Sequence, residues 1–162
     1  MTRPNWSLVD TVTVNAQPEG IWNLAIEFVP GPRLLRFRVV EKDKNGTPAP
    51  LLWTVNGTVN PALVCSPEGL LSSDAKTSYL CPGAALGALV GKLGGSTSDI
   101  PDPSQAAAPF GTGKRVFPIG SHCIIAMLAA DSGPLYLTMN DEFKSFQHHA
   151  GTLQVEISDA PA

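Results

Sequence analysis

The feature that most limits what this chain can fold into is a hydrophobic period of two, carried along most of its length and broken repeatedly by glycine and proline. Val9, Thr11, Thr13 and Asn15 alternate with Asp10, Val12 and Val14. Successive side chains of a strand point to opposite faces, so such runs read as half-buried strands. The same reading places strands over Gly20 to Val29, Leu34 to Val40, Leu51 to Val55, Leu86 to Leu93, Lys114 to Ile119, Cys123 to Ala129, Leu135 to Asn140 and Thr152 to Ile157. The first three, divided by the turn signal Pro30-Gly31-Pro32, are expected to lie side by side as antiparallel neighbours. Ala84 to Val90 is dense enough in Ala and Leu to suggest a helix, but Gly83, Gly87 and Gly91 punctuate it, and a buried strand is preferred.

Between the strands, Glu41 to Gly46 reads as a solvated turn, Ala62 to Leu71 as an irregular connection, and Gly94 to Pro109 as a long surface loop. No repeat of 20 to 50 residues stands out. About nine strands with turn chemistry between them predict an all-β protein, an antiparallel β-sandwich. The 162 residues make one domain, 1–162, large enough to bury roughly two-thirds of its unfolded surface without disulfide or metal staples. The 15 Gly and 15 Pro, against only 15% charged residues, agree with short strands and many turns.

Composition also excludes function classes. A net charge of −3 offers no footprint for a phosphate backbone, so nucleic acid is not expected as a partner. No apolar run is long enough to cross a membrane as a helix, and the N-terminal residues lead into an alternating strand where a signal peptide needs a continuous apolar core. A soluble chain is expected, its compartment unassigned. Cys65, Cys81 and Cys123 are odd in number and far apart, which favours thiols behaving as small buried hydrophobes over a disulfide framework, with one pair plus one free thiol left open. No Gly-x-Ser-x-Gly elbow or phosphate-binding loop is present.

The candidate site is the loop between the last two strands. It opens with Asn140-Asp141 and ends with His148-His149, polar and titratable residues on a connection that a β-scaffold would hold in place. A solvated turn is the competing reading. Trp22 and Trp53 are either platforms for a pyranose ring or buried core, the second being favoured; Glu68 either accepts from sugar hydroxyls or sits on a polar loop. His122, beside Cys123, is a weaker candidate for a metal site.

Three blocks, Gly87-Ala88-Leu89-Val90-Gly91-Lys92-Leu93-Gly94, Leu135-Tyr136-Leu137-Thr138-Met139-Asn140-Asp141 and Gly151-Thr152-Leu153-Gln154-Val155-Glu156-Ile157, resemble in order and spacing the bacterial LecA-like galactophilic lectins. Looser similarity extends upstream through Leu52-Trp53-Thr54-Val55-Asn56-Gly57 and Ser66-Pro67-Glu68-Gly69. The resemblance implies a jelly-roll-like, galactose-binding-domain-like sandwich that is not an enzyme and binds a galactoside through calcium. It implies a homo-oligomer as well. Carried over residue by residue, it makes Asp141 a carboxylate ligand, Ser145 and Asn56 sources of backbone carbonyls, and Glu68, Asp141, Glu142, His148 and His149 the sugar-facing set.

The chain departs from that pattern where two successive Asn residues are replaced by His148-His149. Calcium takes six to eight oxygen ligands, whereas imidazole suits zinc or nickel, so ligand type predicts one of those ions on Asp141, His148 and His149. The rival functions are a structural or oligomerising sandwich with a degenerate sugar site, and a small metalloenzyme built on the same three residues.

Overall fold

The computed structural model describes residues 2–56, 63–71, 76–97 and 115–162. Among them, ten strands form two four-stranded antiparallel sheets and one two-stranded ribbon. The strands are β1 (Ser7–Asn15), β2 (Asn23–Val29), β3 (Arg33–Val39), β4 (Trp53–Thr54), β5 (Val64–Cys65), β6 (Leu89–Leu93), β7 (Arg115–Pro118), β8 (His122–Met127), β9 (Gly133–Met139) and β10 (Thr152–Pro161). One sheet has the order β1-β10-β3-β8, the other β2-β9-β6-β7, and β4 pairs with β5. The antiparallel sandwich expected from the alternation is what forms.

The period of two does its work between the sheets. Val14, Leu35, Phe37, Leu153, Val155 and Ile157 turn inward from one sheet against Leu89, Leu93, Leu135, Leu137 and Met139 of the other, with partly buried Val12 at the margin. Each such side chain, fully withdrawn from water, contributes roughly 1.5–3 kcal/mol before conformational entropy is counted. The second sheet is buried on its outer face too: Tyr136, Val90 and Val116 pack under Trp22, Leu80, Cys81 and Ala84. The segment 79–88 is therefore a lid over that sheet, and it enters β6 beside the end of β9, where the candidate loop begins.

Two expectations about arrangement are corrected. β1, β2 and β3 are not neighbours: β10 lies between β1 and β3, and β2 belongs to the opposite sheet, paired with β9. Alternation says which face of a strand is buried but not which strand lies beside it. The corner at Pro30-Gly31-Pro32 makes the crossing between sheets. A Cβ on Gly31 would stand 2.2 Å from the Leu128 carbonyl oxygen, and the Gly31 N–H donates to Ser132 Oγ at 2.8 Å, so the corner packs tightly against the turn after β8. The supposedly irregular stretch from Ala62 to Leu71 contains β5, which pairs Cys65 with Trp53.

The other elements are shifted at their ends. The strand expected over Leu51 to Val55 shortens to Trp53–Thr54, and that over Leu86 to Leu93 begins at Leu89, after a turn at Gly87 with φ +82°. It is a strand and not a helix. The loop expected over Gly94 to Pro109 lies outside the described residues from 98 onward. No helix among the described residues is long and apolar enough to cross a membrane.

Candidate functional site

β9 delivers the chain to the site, and the first residue beyond it is the anchor. Asn140 is fully buried. Its side-chain Oδ1 accepts the Cys81 N–H at 2.8 Å, while Nδ2 donates to the carbonyls of Cys81, Ala84 and Ala85, each at 3.1 Å. Its backbone N–H reaches the Ala88 carbonyl and its own carbonyl takes the Gly87 N–H, both at 2.8 Å. A planar amide that both donates and accepts can knit a turn of backbone in this way, and a carboxylate or a hydroxyl could not satisfy the same set. In the sequence Asn140 has only the look of a residue that opens a turn. The structure makes it the clamp that fixes the lid 81–88 to the end of β9.

Asp141 and His149, eight residues apart, close the loop at its base. Asp141 Oδ2 lies 2.9 Å from His149 Nε2, and Asp141 Oδ1 accepts the Glu142 N–H at 2.6 Å. The other ring nitrogen of His149, Nδ1, lies 2.9 Å from the Ala16 carbonyl oxygen. That carbonyl can only accept, so Nδ1 is the donating nitrogen, and Nε2 is the one turned onto Asp141 Oδ2. The His149 side chain is wholly buried and the Asp141 side chain nearly so. The Phe146 ring leans on the imidazole at 4.5 Å, and the His149 N–H donates to the Phe146 carbonyl. Beyond His149, Ala150 exchanges two backbone hydrogen bonds with Thr54, and Gly151 accepts the Ala16 N–H.

With its base so fixed, the chain between Asp141 and His149 forms a short 3-10 helix, Phe143–His148. Phe146 points inward, while Phe143, Lys144, Gln147 and His148 are exposed. Phe143, 52% exposed, is an aromatic face offered to solvent at the rim. Glu142 accepts from Ser78 Oγ at 2.8 Å and pairs with Lys144 Nζ at 3.3 Å; these contacts, the Ser78 hydrogen bond first, hold its carboxyl below the usual carboxylate value. Gln147 Nε2 is 3.3 Å from His148 Nε2, and Gln17 donates to the Gln147 carbonyl from the segment after β1. Phe143, Gln147, Ser78 and Lys144 were not singled out from sequence, because an exposed aromatic or amide on a loop has no pattern of its own.

The remaining expected residues fall as follows. Asn56 lies two residues past Thr54, whose Oγ1 accepts its backbone N–H at 3.3 Å, so it follows the ribbon that touches Ala150. Ser145 is within the 3-10 helix and donates its N–H to the Glu142 carbonyl. Glu68 is tied to the turn between β7 and β8 and to Ser66. It accepts from the backbone N–H and the hydroxyl of Ser121 and from the Ser66 hydroxyl, and the Ser121 hydrogen bond draws its carboxyl below its ordinary value. Trp22 and Trp53 are buried, as favoured, and the Trp53 indole donates to the Gly87 carbonyl at 2.8 Å. All three cysteines are free thiols; burial pushes Cys65 and Cys81 up to about 11 and raises Cys123.

Judged as a set of metal donors, Asp141, His148 and His149 do not fit a divalent ion. Both nitrogens of His149 are already committed to oxygen atoms, His148 is exposed against Gln147, and Glu142 is committed to Ser78 and Lys144. Among the described residues, no three His, Cys, Asp or Glu side chains gather at one point. His122 is exposed on β8 and lines an open groove of about 730 Å³ with Arg36, Arg38, Lys42, Ser121 and Glu156, none of them a residue of the loop.

A two-sheet sandwich with a polar loop clamped at one end invites comparison with known folds. No protein-family model and no curated protein matches the chain. A solved structure described as "EclA N-terminal domain; PllA-like lectin" superposes with a TM-score of 0.57, covering 94% of this chain and 97% of that one at 15% identity. The fold is lectin-like. At that identity the likeness concerns architecture, and it supports the sandwich without singling out the LecA-like lectins.

Proposed function

We propose that this lectin-like chain is a carbohydrate-binding module, without enzymatic activity, that takes a galactose-like or other simple sugar on the rim of the loop from Asp141 to His149. The observation that carries the reading is the construction of that loop. A buried base, Asn140 with Asp141 and His149, holds an exposed turn on which an aromatic ring and several hydrogen-bonding side chains stand together. Sugars are bound at shallow sites by that combination: a π-face against the apolar side of the pyranose, and fixed donors and acceptors for the hydroxyls.

Phe143 is the stacking face in this proposal. Gln147, His148 and the Glu142–Ser78 pair supply the polar contacts, with Glu142 accepting and Gln147 donating. Fixing the loop beforehand lowers the ordering cost that weakens binding to mobile loops. Single sites of this kind are weak, so several copies on one assembly would supply useful avidity, and a homo-oligomer belongs to the same proposal.

The test is a glycan-array screen of the intact chain in calcium, in zinc and in chelator, followed by titration of any sugar retained. Binding of a monosaccharide-terminated glycan, reduced at least about tenfold by Phe143→Ala with no change in melting temperature, is the expected result. Retention of no glycan under any of the three conditions would leave a structural or oligomerising sandwich as the better account.

A further inference from the structure

The base of the loop holds two oxygen atoms of the type a hard cation collects, the Asp141 carboxylate Oδ2 and the Ala16 carbonyl oxygen. Between them stands one buried imidazole, 2.9 Å from each. We propose that His149 takes the place of a divalent ion at this loop, its two ring nitrogens tying Asp141 to Ala16 so that the loop is ordered with no metal bound. The inference deepens the reading of this loop as the sugar-facing element, and it separates the chain from a metal-dependent mode of binding.

Three features make the substitution a built one. A nitrogen that ligates a metal must offer a lone pair; Nδ1, facing a carbonyl, carries a hydrogen, and Nε2, the one nitrogen left for an ion, is already turned onto Asp141 Oδ2 at 2.9 Å. An ion reaching Nε2 would have to part it from Asp141 Oδ2 inside a site where the His149 side chain is wholly buried and the Phe146 ring stands 4.5 Å from the imidazole. The surroundings also lack the ligands to compensate. Calcium needs six to eight oxygens, yet the neighbouring carboxylate of Glu142 is held by Ser78 and Lys144, and the adjacent His148 is on the exposed side. A soft or borderline ion fares no better, because it would need both imidazoles on one side of the chain.

Ala16 and Asp141 are 125 residues apart in sequence (141 − 16), so the link does what a structural metal does elsewhere, joining the end of β1 to the end of β9. The same link sets where the 3-10 helix sits.

The experiment follows backbone amides of the chelator-treated chain by NMR during addition of calcium and, separately, zinc, and measures amide exchange in His149→Asn and His148→Ala. Expected are no saturable shifts at Ala16, Asp141 or His149 up to about 10 mM calcium, beyond the roughly 10⁻⁴–10⁻³ M range of weak calcium modules. Zinc shifts confined to the exposed His122 and His148 agree with the proposal, since they leave the loop base unmoved. His149→Asn should accelerate exchange at residues 141 to 150 by at least about tenfold, while His148→Ala leaves it unchanged. Saturable shifts at Ala16 and Asp141 in the unaltered chain would overturn the proposal, as would unchanged exchange in His149→Asn. Should His149→Asn fail to fold, the titration of the unaltered chain decides alone. No sugar is added, so failure of the glycan-binding reading would show in the array and not in this result.

Discussion

Replacing Asn140 by Ala is the sharpest perturbation of the loop's foundation. The side chain serves four backbone groups, Cys81 N–H and the carbonyls of Cys81, Ala84 and Ala85. Two of these, the Cys81 and Ala85 carbonyls, also take the N–H groups of Ala84 and Ala88. The loss therefore falls on the Cys81 N–H and the Ala84 carbonyl. A buried group left without its partner costs about 1–3 kcal/mol, and two of them, partly rescued by water entering near the surface, give about 3 kcal/mol. For a chain of this size that lowers Tm by about 6–12 °C. Calorimetric melting measures the fall, and hydrogen exchange at Cys81 shows whether it arises where expected. Asn140→Asp should be worse, because it keeps an acceptor for Cys81 but turns a carboxylate on three carbonyls. A fall under about 2 °C with Cys81 still protected would refute the reasoning.

Other outcomes follow from the same contacts. Glu68 has its carboxyl drawn below the ordinary 4.5, so its stabilising contribution is present above that value and fades as pH falls through the lower folded value. The melting gap between the chain and Glu68→Gln should be open at pH 7, worth under about 1 kcal/mol for so exposed a group, and should close toward pH 3. Iodoacetamide at pH 8 should reach half-buried Cys123 before Cys65 or Cys81, whose thiols are pushed up to about 11; mass spectrometry of the native protein showing equal labelling would contradict the burial argument. Gly87→Ala would force φ +82° on an alanine and place its Cβ 2.5 Å from Cys65 Sγ, costing roughly 2–4 kcal/mol, whereas Gly46→Ala, at φ +78° in open space, should cost only about 1 kcal/mol; urea titration of both separates collision from conformation.

The sandwich was legible because alternation is written locally: Val12, Val14, Leu153, Val155 and Ile157 declare an inner face before any partner is known. Which strand lies beside which was not. β10 enters between β1 and β3 from the far end of the sequence, and nothing in Ser7–Asn15 records that neighbour. At the site, the resemblance to known lectins directed attention to Asp141 and His149, which do meet, but their roles could not be read from it. Whether an imidazole ligates a metal or pairs with a carboxylate depends on what stands opposite each nitrogen, and Ala16, an alanine recruited for its backbone oxygen, has no sequence signal at all. Asn140 was underrated for a related reason, since its four partners are backbone groups 55 to 59 residues away.

The central claim is that the rim above this buried base is a sugar site, and the most direct measurement is mapping of a bound glycan onto assigned side chains. Saturation-transfer and amide-shift NMR with the best array hit, in chelator, should place the sugar against the Phe143 ring and move the amides of Glu142 to His148 saturably. Shifts centred instead on the groove of Arg36, Arg38 and His122, or no saturable shift near Asp141 with any sugar, would contradict it.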